Sequence, residues 1–139
     1  MFTAKVYTVM IGSLSGMSEE IYAAKEVIRK WNQQYTVSTG KLFMPVEWTT
    51  NPEVLQKVDV VIGIVGNYID NHAFIEECLE SEKQVLLFFN AFIDPKNTIQ
   101  SEHDEVKAFR ERIQSKCICF EYSDINGLIH VLNERLLSC

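Results

Sequence analysis

Two short stretches of small and polar residues carry the groups best suited to hold a ligand. Residues 12–18 (GSLSGMS) bring Gly12, Ser13 and Ser15 ahead of a helix-forming run. Residues 66–72 (GNYIDNH) bring Gly66, Asn67 and Asp70, with His72 behind them. Backbone N–H groups at the start of a helix suit a phosphate or a carboxylate. Neither G-x-G-x-x-G nor G-x-x-x-x-G-K-[ST] is present, so no phosphate loop of known spacing supports that use. Glu19 and Glu20 at the same helix start would repel an anion. A Gly/Ser loop is also what a tight strand-to-helix turn requires. Asp70 could accept from a ribose hydroxyl or cap the next helix. His72 supplies an imidazole that changes charge near neutral pH, but a polar residue at a helix start needs no such role.

Other reactive side chains are scattered. The four cysteines are Cys78, Cys117, Cys119 and Cys139. None forms a C-x-x-C pair and no histidine stands at zinc-ligand spacing to them, so no metal site is expected. Cys117 and Cys119 share one face of an apolar strand and read as small core residues. Cys139, the last residue, reads as a free exposed thiol. His103, Asp104, Glu105 and His130 share no strand end and build no triad or metal site.

The elements that must position these groups follow from hydrophobic periodicity. Residues 5–11 (KVYTVMI) read as a buried strand. Ser18 is an N-cap for a helix running to about Gln34, with Ile21, Ala24, Val27, Ile28 and Trp31 on one face. Residues 41–48 (KLFMPVEW) are a second strand, and Pro45 places it at a sheet edge. Asn51 caps a short helix that opens with Pro52. Strands follow at 58–65 (VDVVIGIV), 84–89 (QVLLFF) and 116–122 (KCICFEY). A helix spans 72–81, with Ile75, Cys78 and Leu79 facing in. Ser101 and Asp104 form a capping box for a helix to about Ser115. Ser123 or Asp124 caps a final helix. Alternating strands and helices, with apolar strand runs, give an α/β fold. The expectation is a three-layer, doubly wound, five-stranded parallel sheet in flavodoxin-like order 2-1-3-4-5. Ligands in such sheets sit beyond the carboxyl ends of the strands where the order reverses. Here that is the crevice between strands one and three, lined by the two stretches named first.

The chain has 139 residues, 47% of them hydrophobic and 23% charged, with a net charge of −6. That suffices for one core, and residues 1–139 read as a single domain. An acidic chain is a poor nucleic-acid binder. No run approaches the ~18 apolar residues of a membrane span, and residues 1–12 lack the apolar stretch of a signal peptide. The expected setting is reducing and cytoplasmic. Residues 70–105 hold nine Asp/Glu against two Lys, an acidic flank that is either solvated surface or a docking face for a basic partner. Phe74 or Phe92, if exposed there, would anchor an interface.

Taken in order, these segments resemble a bacterial TIR-like family of unknown function, often found at the front of larger proteins such as STAND-type NTPases. Residues 9–32 (VMIGSLSGMSEEIYAAKEVIRKWN) are similar to its opening strand, S-P-S-D, E-E-R and helix ending W-N. Residues 42–50 (LFMPVEWTT) resemble L-x-P-V-x-W-E-T. Residues 58–69 (VDVVIGIVGNYI) resemble the D-x-L-V-G-I-F strand. Residues 75–89 (IEECLESEKQVLLFF) resemble the helix and strand ending G-K-P-V-L-L-Y-F. Residues 120–136 resemble the closing strand and helix.

The resemblance implies a TIR and nucleoside deoxyribosyltransferase-like fold. Active members cleave an N-glycosidic bond in NAD or a nucleoside with a Glu early in the helix after the third strand. A carboxylate there steadies or attacks the oxocarbenium-like sugar. In the family it lies nine residues before the Lys of G-K-P; nine before Lys83 is Phe74. Gly16, Ile21 and Thr49 also replace the family's Asp, Arg and Glu. Glu76 lies about 200° and Glu77 about 300° around the helix from Phe74, so a local shift could bring Glu77 in. The resemblance therefore implies a catalytically silent interaction or signalling domain, in a defence setting, acting by homo-oligomerisation or a protein partner. The alternatives are an NAD or nucleotide N-glycosidase using a displaced Glu77 or Glu76, with His72 beside it, and a nucleotide-binding sensor holding its ligand on Gly12, Ser13, Ser15, Gly66, Asn67 and Asp70.

Overall fold

The computed structural model describes residues 1–14, 18–66, 69–70, 72–81, 83–91 and 99–138. Strand β1 (Lys5–Ser13) is followed by α1 (Ser18–Thr39), β2 (Lys41–Glu47) and α2 (Pro52–Leu55). Then come β3 (Val60–Val65), α3 (His72–Glu80), β4 (Gln84–Asn90), α4 (Gln100–Ile113), β5 (Ile118–Tyr122) and α5 (Ile125–Ser138). All neighbouring strands are parallel, in the order β2-β1-β3-β4-β5. The anticipated three-layer α/β sheet is therefore the fold.

Alternation along each strand sends successive side chains to opposite faces. Val9 and Ile11 of β1 meet Val27, Ile28 and Trp31 of α1 and Leu128 and Leu132 of α5. Met10 of β1 joins Ile75 and Cys78 of α3 and Phe109 and Ile113 of α4 on the other face. β3 is buried along its whole length, as a central strand covered by helices on both sides should be. Each such Val, Leu, Ile or Phe contributes roughly 1.5–3 kcal/mol by leaving water.

The element ends show where local chemistry decides. Asn51 Oδ1 accepts from Glu53 N at 3.0 Å, with Pro52 opening α2. Asp124, rather than Ser123, takes the last cap, its Oδ1 accepting from Gly127 N at 2.7 Å. α1 runs five residues beyond Gln34 and stops at Gly40, whose φ is +72°. Gly40 N donates back to Thr36 O at 2.8 Å, a turn that favours glycine because it carries no Cβ. One expected cap is corrected. Ser101 lies inside α4; Ile99 is the cap residue, without a side-chain hydrogen bond. Asp104 instead accepts from Gln100 Nε2 at 2.9 Å, so the i,i+4 pair inside the helix takes the carboxylate that the box required.

β2 is an edge strand, as Pro45 requires. Its free side is covered at Phe43, whose N–H donates to Asn32 Oδ1 at 3.0 Å and whose carbonyl accepts from Asn32 Nδ2 at 2.7 Å. An asparagine on α1 thus satisfies backbone groups that would otherwise invite another strand.

Candidate functional site

At the crevice where the strand order reverses, Gly12 and Ser13 end β1 opposite Gly63 and Ile64 of β3. Backbone hydrogen bonds stitch its two walls together. Leu14 N donates to Ile64 O at 2.8 Å, and Asp70 N donates to Leu14 O at 2.8 Å. Leu14 and Ile69 are buried between them, at 2% and 6% exposure. Ser15 and Asn67 lie outside the described residues, as do Gly16, Tyr68, Phe92, Cys139 and the side chain of His72.

Gly12 is glycine for a steric reason. A Cβ there would lie 1.9 Å from Trp48 Cε3, so the indole ring rests directly on the strand backbone. Trp48 in turn meets Phe74 edge-on, with ring centroids 5.1 Å apart and planes at 64°. Phe74 is 7% exposed and belongs to the core between the sheet and α3. The position that the resemblance assigns to a catalytic Glu therefore holds a buried ring under a second ring. The condition under which Phe74 would anchor an interface is not met: it is buried against Trp48.

The nearby carboxylates are engaged or turned to water. Glu76 accepts from Arg112 Nε at 2.8 Å and is held toward α4. Glu77 is exposed, and its backbone carbonyl accepts the Ser81 hydroxyl at 3.0 Å. Asp70 is exposed. Burial, then the Glu20 carboxylate, pushes the Tyr122 phenol at the end of β5 above its ordinary range.

A second hollow opens along the same sheet edge, on the far side of β3. It has a volume of about 320 Å³ and lies between Gly66, Phe89 and Glu121 at the strand ends and His103, Lys107 and Arg110 on α4. Arg110 Nη1 donates to Glu121 Oε1, and its guanidinium lies 5.0 Å from the centre of the Phe89 ring. Among the described residues, Gly66 is the one expected site residue that lines it. His103, Lys107 and Arg110 recur at steps of four and three, so one helical face carries them. That periodicity was a usable signal, though the reach of α4 to the strand ends was not visible in it.

His130 pairs with Glu134 on α5 at 3.1 Å, on the opposite face of the sheet from α4. His103 and His130 are accordingly not brought together. Among the described residues, no group of three or more His, Cys, Asp or Glu is placed to hold a metal ion. No described helix is long and apolar enough to cross a membrane. Cys78 is buried, whereas Cys117 and Cys119 are half-buried, their sulfurs 3.8 Å apart. The Cys117 thiol and the Arg110 guanidinium lower Cys119 to about 7 against the opposing effect of burial, while Cys117 is pushed up by the same contact.

No protein-family model matches the chain, and no curated protein matches it. Solved structures do. Homoserine dehydrogenase from S. aureus superposes with a TM-score of 0.55 at 11% identity, over 85% of this chain and 32% of that one. A de novo designed Rossmann 2x3 protein gives 0.53 at 13% identity, over 95% and 90%. A short-chain flavodoxin associated with a non-canonical PDU bacterial microcompartment gives 0.50 at 12%, over 96% and 97%. The likeness is one of fold. The chain spans about a third of the length of the dehydrogenase.

Proposed function

We propose that this chain is a TIR-like interaction domain without glycosidase activity, working by association with a second copy or with a protein partner. One observation carries the reading: Phe74, at the position of the family's catalytic Glu, is buried against Trp48, which rests on Gly12. A benzyl group supplies no anion to a developing sugar cation. The arrangement weighs against the displaced-carboxylate alternative, because Glu76 is tied to Arg112 and Glu77 stands in solvent. It weighs against a ligand in the β1/β3 crevice as well, since Leu14 and Ile69 are buried there and the indole rests on Gly12.

The test is incubation of the full chain with NAD and with nucleosides, monitoring free nicotinamide or base. The expected result is none above the no-protein control. Turnover that Glu77→Gln abolishes would overturn the reading. Light scattering over a range of concentrations then separates the two modes of association. A second copy gives a mass that rises with concentration, whereas a hetero-partner leaves a monomer.

A further inference from the structure

We propose that the hollow between α4 and the carboxyl ends of β3 and β4 binds the phosphate group of a small organic phosphomonoester. Its place is the end of the sheet where α/β folds receive ligands. Its charge is the reverse of the chain's. Among the described lining residues two cations, Lys107 and Arg110, face one carboxylate, Glu121, in a protein of net charge −6. Glu121 is engaged by Arg110, so among the described lining residues the excess positive charge resides on Lys107. Arg110 is held in place by Glu121 and by the Phe89 ring beneath it. A guanidinium already fixed loses little freedom when it donates its remaining N–H groups to an oxyanion. His103, one turn before Lys107 on the same wall, adds an imidazole donor to a phosphate oxygen.

Size and lining narrow the ligand class. A volume of about 320 Å³ is at the lower end of small-molecule sites. It accommodates a phosphate and one ring-sized group, not a dinucleotide. Ala91 and Val106 give the hollow an apolar wall that a bare inorganic ion would leave unused. A phosphomonoester uses both halves: oxygens toward Lys107 and His103, the organic group toward Ala91 and Val106. This inference does not depend on the absence of glycosidase activity, because its cavity and its cations lie apart from Phe74 and Trp48.

The test is calorimetric titration of the full chain with phenyl phosphate, with inorganic phosphate and with phenol as separate arms. The expected result is saturable binding of phenyl phosphate at about 1 mM or tighter, weaker binding of inorganic phosphate, and none of phenol. Lys107 is exposed, so Lys107→Gln leaves the fold intact; it should weaken phenyl phosphate at least tenfold, and Lys107→Arg should restore it. Amide resonances of Gly66, Ala91 and α4 should shift on titration. Inorganic phosphate binding as tightly as the ester would assign the site to the free anion and overturn the proposal. So would no saturable binding, an unchanged affinity in Lys107→Gln, or shifts confined to Gly12 and Asp70.

Discussion

A glycine whose absent Cβ makes room for an indole is a sharper constraint than the glycine loops that first draw the eye. Gly12→Ala forces Trp48 off the strand and should cost about 1–3 kcal/mol, the usual penalty of overpacking. In Trp48→Ala the same substitution should cost much less, because the colliding ring is gone; urea melts of the four-member cycle measure both. An equal cost in the two backgrounds would mean that Gly12 matters for its backbone instead. Phe74→Ala removes a buried ring and should cost about 3–5 kcal/mol. Cys119 makes a separate prediction. Thiolate is the reactive form, and the neighbouring Cys117 thiol and Arg110 hold Cys119 at about 7 against an ordinary 9.0. Its alkylation by iodoacetamide should therefore rise with pH and set in at a lower pH than that of an ordinary cysteine, with Cys117 lagging behind. Peptide mass spectrometry reads the two sites, and equal profiles would contradict the assignment.

At the scale of elements, caps and edges do the local work. Asp124→Ala removes the acceptor of Gly127 N and should destabilise the chain by about 1 kcal/mol, seen as a lower urea midpoint. Ser123→Ala should leave it unchanged. That distinction was open in the sequence, where either residue had the right chemistry. Only the observed helix start selects one. The α4 cap shows the converse: Ser101 and Asp104 have the right types and spacing for a capping box, yet the helix begins one residue before Ser101. Asn32 is the element-scale feature that sequence periodicity could not assign. It appears as one polar residue after Trp31, and its contact lies eleven residues on, with the backbone of edge strand β2.

For the whole molecule, the two tryptophans report opposite faces of one sheet. Trp31 belongs to the α1/α5 layer and Trp48 packs against the α3/α4 layer. Both layers share the central strands, so neither should survive without the other. The fluorescence of Trp31→Phe and of Trp48→Phe should each vanish in a single transition that coincides with loss of helical circular dichroism in the same variant. Probe-dependent midpoints within one variant would show that the layers unfold separately. The sheet also sets the electrostatics. It gathers Lys107 and Arg110 at its carboxyl edge while Glu76 is drawn to Arg112 on the outside of α3 and α4.

Strand identity, strand order and helix faces were legible in the residues, because burial on two faces demands unbroken apolar runs and crossover helices demand a 3.6-residue repeat. The edge position of β2 was legible too, because proline lacks the N–H that a central strand must donate. Which side chains meet at the strand ends was not. Trp48, Gly12 and Phe74 come from three separate elements, and their contact depends on how the layers close over β1. The same is true of Arg110 and Glu121, which become neighbours only when α4 folds back along β4 and β5. Periodicity is a property of one segment; a site is a property of distances between segments, and those are set by packing.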